Sequence, residues 1–578
     1  MTSEWNYQPP TNEQILKQRE LAQRFGLSPA VCLLLVRRGI TEITDAQAFL
    51  SPHVRNLHDP FAYPDMSIAV SRLEHALGNK EKILVYGDYD VDGTTAVALV
   101  YRFLERFCSK SCLDYYIPDR SEEGCGISVQ SIDYALTNQF KLIIALDCGI
   151  KANDAITYAQ DNGIDVIVCD HHKSDDELPP ALAILDAKRS DSTYPYEHLS
   201  GCGVGFKLMH AFAINNNIEF TFLKALFDLC AVSIASDIVP MTGENRILAA
   251  YGLRQLNQNP SKGLKGIIGI CGLSGKEITI DDIVFKIGPR LNASGRMTNG
   301  KEAVELLIAK DLKKAREKSE NIDQYNDDRR ELDKKITDEA YALLEENPRF
   351  ADEKIALVYH PDWHKGVIGI VASRLTEKYY KPAIVLTESN GFLSGSARSI
   401  TGFDIYAAIE SVKDLLENFG GHNFAVGVTL REENLPLFKQ RLEEYADQYM
   451  IEEQMTQKLD VDVALKFNEL GDKLMRDVKR MQPFGPENQK PLFCSFGVRD
   501  AGGSKLVGKD LEHIRLELID DSITSPVQAI AFGMAQYFDI VKSGQPFDVC
   551  YTIEENNHNN TVSMQLMVKD IRKIVVSG

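Results

Sequence analysis

The sequence predicts a multidomain α/β protein in three parts: a doubly wound lobe on a parallel sheet, a smaller α/β lobe joined to it by long helices, and a C-terminal β-barrel. Three observations carry this. From Lys82, short β-branched runs alternate with helical periodicity, the pattern of a parallel sheet with helices on its faces. Residues 302–347 run without Gly or Pro and space their apolar positions for one helix face. After about residue 455 the segments are short, strand-like and separated by turn residues. At 578 residues the chain is long enough for several domains of ~150 residues each. With 44% apolar and 25% charged residues each can bury a core, which excludes a mainly disordered chain.

In chain order, residues 1–60 form a helical leader: an amphipathic helix over 13–25, then LSPAVCLLLVRRGI and TEITDAQAFLSP. A first lobe spans 61–300, where KILVY (82–86) precedes a helix near 94–107 and KLIIAL (141–146) precedes one near 152–162. DVIVC (165–169) leads into DHH. Residues 301–350 make a connector of one or two long helices. The second lobe, 351–454, starts at KIALVYH and continues through GVIGIVASRLTEKY, KPAIVLTES and a helix over 405–416. The barrel, 455–578, draws on LDVDVAL, PLFCSFGVRDAGG, HIRLELID, VQAIAFG, FDVCYTIEE and TVSMQLMVKDI.

No apolar stretch approaches the ~18 residues of a membrane span. The start, MTSEWNYQPPTNEQ, lacks the basic-then-apolar pattern of a signal peptide, so a cytoplasmic protein with no membrane attachment is expected. Eleven cysteines, an odd number without a CxxC pair, argue against a disulfide framework or a thiolate zinc site. The net charge of −19 taken alone argues against a polyanionic partner, because phosphate binding is driven by Lys and Arg.

The chemistry lies in four acidic motifs. YGDYDVDGTTA (86–96) crowds Asp88, Asp90 and Asp92 into five residues after a strand, and such carboxylates need a cation to neutralise them. A calcium-binding EF-hand loop has a similar start, but it needs a preceding helix and an acid at its twelfth position, which here is Leu99. Asp147 ends the second strand in IIALDCG, and Asp170, His171 and His172 end the third. Asp237 closes an apolar helix in AVSIASDIVP. Carboxyl ends of parallel strands face one crevice, so these residues converge. Many carboxylates with one or two imidazoles favour two divalent ions, Mn²⁺ or Mg²⁺, over zinc, with Asp147 placed to bridge them.

GDYDVDG, LDCG, DHH and ASDIVP resemble the four motifs of the DHH phosphoesterase superfamily, and GGH in NFGGHNFAVG (418–427) resembles the signature of the DHH-associated domain. The resemblance implies that Asp90 and Asp147, with or without Asp88, hold one metal. It places Asp92, Asp147, His171 and Asp237 around the other, and His172 facing the substrate phosphate, so that Asp147, His172 and His422 form the catalytic set. Some members carry a histidine where this sequence has Tyr86, which leaves the first site weaker or completed by water and Asp88.

KIGPRLNASGRM (286–297), with Arg290, Asn292 and Arg296, is similar to the RecJ exonuclease form of this segment, and its guanidinium and backbone N–H groups suit phosphate oxygens. By that resemblance Arg120 in IPDRSEEGCGIS, with Ser396 and Arg398 in GSARSITGFD, binds the 5′ phosphate of a strand, while His422 contacts the scissile region. Lys365, Gly366 and Arg374 are weaker candidates for backbone contact. MQPFGPENQKPLF resembles the RecJ entry into an OB-type barrel, a fold that binds single strands by basic residues and aromatic stacking. Phe484, Arg499, Lys505 and Lys509 are candidates there, while Phe493 and Phe496 are expected in the barrel core.

The family then implies a monomeric 5′-to-3′ exonuclease that hydrolyses single-stranded DNA to 5′ mononucleotides with two ions, working with a helicase and a single-strand-binding protein in repair and recombination. The alternatives are a phosphodiesterase of short RNA or cyclic dinucleotides and a silent DNA-binding scaffold; the added barrel speaks against the first and the complete acidic set against the second. Residues 455–578 hold 15 basic and 17 acidic residues, so the acidic excess lies mostly elsewhere and a local basic track remains open to DNA.

Overall fold

A computed structural model describes residues 4–120, 122–558 and 561–574. The chain forms two compact units. One comprises Asp59–Asp237 with Tyr251–Gln457, the other Met1–His58, Ile238–Ala250 and Lys458–Gly578.

The first unit contains a five-stranded, all-parallel sheet of β1 (Lys82–Gly87), β2 (Leu113–Tyr116), β3 (Phe140–Leu146), β4 (Asp165–Cys169) and β5 (Ala183–Leu185). The strand order is β2-β1-β3-β4-β5. On one face Leu84, Tyr86, Ile143, Ala145, Val166 and Val168 pack with Ile132, Ala135, Ile156 and Ala159 of two covering helices. The alternate positions Ile83, Val85, Leu142 and Ile144 are equally buried. Both faces are thus covered, which is why these strands read as continuous apolar runs. The helix α1 (Val91–Leu104) packs against α2 (Gly201–Asn215) and α3 (Phe227–Ser236). It begins three residues before the predicted start because Asp90 caps it, accepting the Gly93 amide at 3.0 Å. The strand order reverses between β1 and β3, and ligands of such sheets bind at that switch point, outside the strands' carboxyl ends.

The connector is a short helix, Lys301–Leu307, followed by the 35-residue α5 (Leu312–Glu346), capped by Asp311, whose carboxylate accepts from the Lys314 amide at 3.0 Å. The shorter α4 (Gly288–Met297) lies along it. The second lobe is a mixed sheet of β6 (Ala356–Tyr359), β7 (Ala383–Ser389), β8 (Phe392–Arg398), β9 (Leu416–His422) and β10 (Ala425–Leu430) in the order β9-β10-β8-β7-β6. The helix expected over 405–416 is shorter, Ile405–Glu410, and Leu416 already opens β9. Pairing of β9 with β10, Phe419 opposite Val428, overrides the local helical spacing.

In the second unit β11 (Phe493–Asp500), β12 (His513–Ile519), β13 (Val527–Ala531), β14 (Phe547–His558) and β15 (Thr561–Lys573) close a barrel. The ring runs β11-β12-β13-β15-β14 and back to β11, with β13 and β15 parallel and every other pair antiparallel. This is the Greek-key closure of an OB barrel. LDVDVAL is not one strand: Lys458–Asp460 pairs in parallel with Glu4–Asn6, and Val463–Ala464 extends the barrel sheet. The leader shares the barrel's core, with Leu21, Val31 and Leu34 in one apolar cluster with Val498, Leu516 and Phe547. The inserted segment 238–250 supplies Arg246, whose guanidinium donates to the carbonyls of Phe49, Met481, Gln482 and Pro483 at 2.9–3.1 Å. Among the described residues no helix is long and apolar enough to cross a membrane.

Candidate active site

Every acidic motif ends at the switch point of the parallel sheet. Asp92, in the first turn of α1, is 1% exposed and accepts the Gly201 and Cys202 amides at 2.6 and 2.8 Å and the Ser233 hydroxyl at 2.7 Å. The two amides belong to the N-terminus of α2, whose dipole favours a negative charge there. Burial and the Asp90 charge outweigh these bonds and push the Asp92 carboxyl up to about 6.

Asp147 follows β3 in the left-handed region, at φ 60°, and its amide donates to the Cys169 carbonyl at 2.9 Å. A Cβ on Gly201 would come within 2.5 Å of the Asp147 Cβ, so this approach of α2 requires glycine. Burial, then the charges of Asp92, Asp90, Asp237 and Asp88, hold the Asp147 carboxyl well above its ordinary range. Asp237 caps the end of α3 and is raised in the same way, by burial and then by Asp92 and Asp90.

His171 Nε2 points into this group. It lies 3.1 Å from Asp147 Oδ1, 3.7 Å from Asp237 Oδ2 and 3.8 Å from Asp92 Oδ2, yet it is buried and makes no hydrogen bond. The ring also bonds the backbone of Leu199, which falls to the other nitrogen. Burial and the neighbouring His172 charge lower its pKa to about 3, so it presents a neutral lone pair. Asp88 has one oxygen accepting the Cys125 thiol at 3.1 Å and the other buried without a partner. Its carboxyl rises to about 6 through burial and the adjacent Asp90.

Asp170 stands apart from these donors. It accepts the amides of Ile150, His171 and His172 and, at 2.7 Å, His172 Nδ1. Burial acts to raise its pKa, but the His172 bond and charge prevail and hold it ionised. Burial likewise acts to lower His172, and the bond to Asp170 reverses this and lifts the imidazole to about 9. His172 is thus an imidazolium with a half-exposed ring, oriented by Asp170. Tyr86, at the position of the family's extra histidine, donates its hydroxyl to the Gly126 carbonyl at 2.7 Å, and burial keeps it protonated.

Asp92, His171 and Asp237 bring ligand atoms within 4.8 Å of one another, and so do Asp147, His171 and His172, while the charges of Asp90 and Asp88 also act on Asp147. The crowded carboxylates, the unpartnered Asp88 oxygen and the unpartnered His171 nitrogen all fit divalent cations. The oxygen-rich composition suits Mn²⁺ or Mg²⁺.

The phosphate-site candidates divide. Arg120 lies over the Tyr89 ring, its Cζ 5.2 Å from the centroid. Arg296 donates to the Gly366 carbonyl at 2.9 Å, and Arg398 donates to Ser396 Oγ at 2.9 Å and to the Ala397 carbonyl at 2.8 Å. Burial, followed by the charges of Arg120, Arg329 and Arg398, lowers Arg296 to about 10. Burial and then Arg120 also lower Arg398, His364 and Lys365. No carboxylate among the described residues pairs with Arg120, Arg296 or Arg398, so their charge is free for an anion. Arg290 is different: it is bound to Asp323 at 2.7 Å, and Arg374 to Asp333 at 2.7 Å, both as structural ion pairs along α5. Asn292 is half-buried on α4. His422 ends β9 exposed, its Nδ1 accepting the Phe424 amide at 3.3 Å.

Sequence reasoning missed several members. Cys125, Ser200 and Arg329 sit in no acidic motif and are brought in by the fold alone, and Ser233, within AVSIASDIVP, was not singled out although it donates to Asp92. Asp186 could have been found, since it follows β5 as Asp147 follows β3. It is fully buried, accepts the Lys188 amide at 2.7 Å and is raised to about 7 by burial and by Asp170.

In the barrel Phe493 is buried as expected, but Phe496 is 47% exposed and stands 5.9 Å from the Tyr7 ring, because the strand residue next to Gly497 turns outward. Phe484 packs half-buried against the core, and Arg499, Lys505 and Lys509 are exposed.

Comparison with known proteins matches three family models: the DHH family N-terminal domain over residues 82–234, the DHHA1 domain over 352–448 and the RecJ OB domain over 461–570. The single-stranded-DNA-specific exonuclease RecJ of Bacillus subtilis is 34% identical over 98% of this chain and 70% of its own length. That of Haemophilus influenzae is 32% identical over 88% of this chain and 90% of its own. Among solved structures, RecJ from Thermus thermophilus in complex with Mn²⁺ superposes with a TM-score of 0.81 at 25% identity, covering 100% of this chain and 80% of that one. The chain belongs to the RecJ family of DHH phosphoesterases.

Proposed function

We propose that the protein is a metal-dependent exonuclease that degrades single-stranded DNA from its 5′ end and releases 5′ mononucleotides. The observation that carries this reading is the pairing, within one compact unit, of the acid–imidazole cluster with an arginine cluster that no carboxylate among the described residues neutralises. The relatives named as single-stranded-DNA-specific exonucleases, and the Mn²⁺ and Mg²⁺ complexes of RecJ, support it.

In this reading Asp92, Asp147, His171 and Asp237 hold one divalent ion, and Asp90 and Asp147 with Asp88 hold the second. Such ions, when bound, activate water and stabilise the attacking and leaving oxygens of a phosphodiester. The protein's own part is positioning and charge. Arg120, Arg296, Ser396 and Arg398 grip the terminal 5′ phosphate, where planar guanidinium forks suit its oxygens. This grip sets the polarity of digestion. His172, kept cationic by Asp170, faces the scissile phosphate and stabilises the charge that develops on it. His422 reaches the same region from β9. The barrel, with exposed Phe496, Arg499, Lys505 and Lys509, holds the single strand by stacking and charge. The protein works as a cytoplasmic monomer on strands that a helicase opens and a single-strand-binding protein covers.

The test is degradation of a single strand blocked at its 5′ or its 3′ end, and of a duplex, with Mn²⁺ and with chelator. The reading expects metal-dependent loss of the 3′-blocked single strand only. Digestion of the 5′-blocked strand, or of the duplex at a similar rate, contradicts it.

A further inference from the structure

Tyr89 lies between two proposed metal ligands, and its backbone amide bonds the Asp88 carboxylate, while its ring faces Arg120, at 5.2 Å from Cζ to centroid. Its backbone is fixed from the other side. A Cβ on Gly295 would come within 2.5 Å of the Tyr89 carbonyl oxygen, and one on Gly300 within 3.0 Å, so the α4 segment that carries Arg296 presses directly on it.

Arg120 comes from a loop folded around Glu123. That carboxylate accepts the Tyr116 hydroxyl at 3.0 Å, the Asp119 amide at 2.9 Å and the Ser128 hydroxyl at 2.6 Å. Glu123 is therefore spent on the loop itself, Asp119 accepts the Glu122 amide at 3.2 Å, and no carboxylate pairs with Arg120 among the described residues. The choice of partner matters physically. A carboxylate would orient the guanidinium but cancel its charge, whereas an aromatic face orients it and leaves the charge and the N–H fork available to an anion.

We propose that Tyr89 is a positioning residue that fixes the phosphate-gripping Arg120 at a set offset from the metal-binding carboxylates on either side of it in the chain. A strand whose 5′ phosphate rests on Arg120 is thereby registered against the metal centre. This inference rests on the phosphate-site reading above.

The test measures kcat/KM on single strands carrying a 5′ phosphate or a 5′ hydroxyl, for the wild type, Y89F, Y89L, Y89M, R120A and Y89L/R120A. The wild type is expected to prefer the phosphorylated end. Y89F, which keeps the ring, retains that preference, and Y89L and Y89M lower it by about tenfold, the scale of one partly desolvated cation–π contact. Adding Y89L to R120A lowers the preference no further, since Tyr89 acts through Arg120. If Y89L turns over too slowly, the same ratio is read from equilibrium binding of the two strands to metal-free protein.

Retention of the wild-type ratio in Y89L and Y89M overturns the inference, as does an equal loss on both substrates, which would mean that the ring serves only the metal loop. A wild type that does not discriminate the two ends instead overturns the phosphate-site reading, so the two failures are distinguishable.

Discussion

At the scale of the residue, the site works by setting neighbouring groups to opposite charge states. His171 is neutral with a free nitrogen, while His172, the next residue, is cationic because its ring, unlike that of His171, bonds Asp170. D170N removes the bond that raises His172. Its imidazole then loses its proton nearer the ordinary histidine range than at about 9, and the alkaline limb of the pH–rate profile moves to lower pH. A D170N profile that superposes on the wild type would show that the imidazolium plays no part. Asp88 and Asp92, in contrast, hold protons up to about 6 in the metal-free protein. Metal must displace those protons, and those of Asp147 and Asp237, which are raised as well, so Mn²⁺ affinity should fall as pH drops through about 6, higher than for ordinary carboxylates. Calorimetric titration at several pH values checks this, and an affinity that is flat down to about pH 4 contradicts it. The motif residues were legible in the sequence because each follows a strand or ends a helix. Arg290 shows the limit: its motif suggested phosphate, but only the fold places Asp323 beside it.

At the scale of the element, the decisive contact is α2 against the first turn of α1 and the end of β3. Its first amides bind Asp92, and Gly201 allows the backbone to reach Asp147. G201A puts a methyl group where Asp147 already sits, so one of the two must move. A displacement of this size at a metal ligand costs about 100-fold in kcat/KM, with a matching loss of Mn²⁺ affinity and little change in circular dichroism. G201A with wild-type Mn²⁺ binding would show that the approach is not functional. Nothing in the sequence around Gly201 announces this role, because the partner lies 54 residues earlier in the chain and is joined only by packing. The parallel sheet was readable from β-branched runs, whereas the 405–416 segment was not, since its helical spacing and its strand pairing compete and only the tertiary partner decides.

At the scale of the whole molecule, the sequence order hides how the units are assembled. The leader and the barrel, at opposite ends of the chain, share one apolar core, and a short middle segment contributes Arg246 to the same unit. Long-range packing of this kind leaves no local periodic signal. Truncation before Lys458 therefore strands Leu21, Val31 and Leu34, and the shortened chain should bind a hydrophobic dye strongly and aggregate. A monomeric, dye-silent truncation product would show that the leader folds alone. The net charge of −19 is compatible with DNA because some of the acids form the cluster that cations neutralise, and no carboxylate among the described residues pairs with Arg120, Arg296 or Arg398. All of this depends on the acid–imidazole cluster being the metal centre of a nuclease. The most direct measurement is Mn²⁺ binding and single-strand degradation by D147A, since Asp147 belongs to both proposed donor sets. The expected result is that both are lost together in a folded protein; undiminished nuclease activity in D147A would contradict the account.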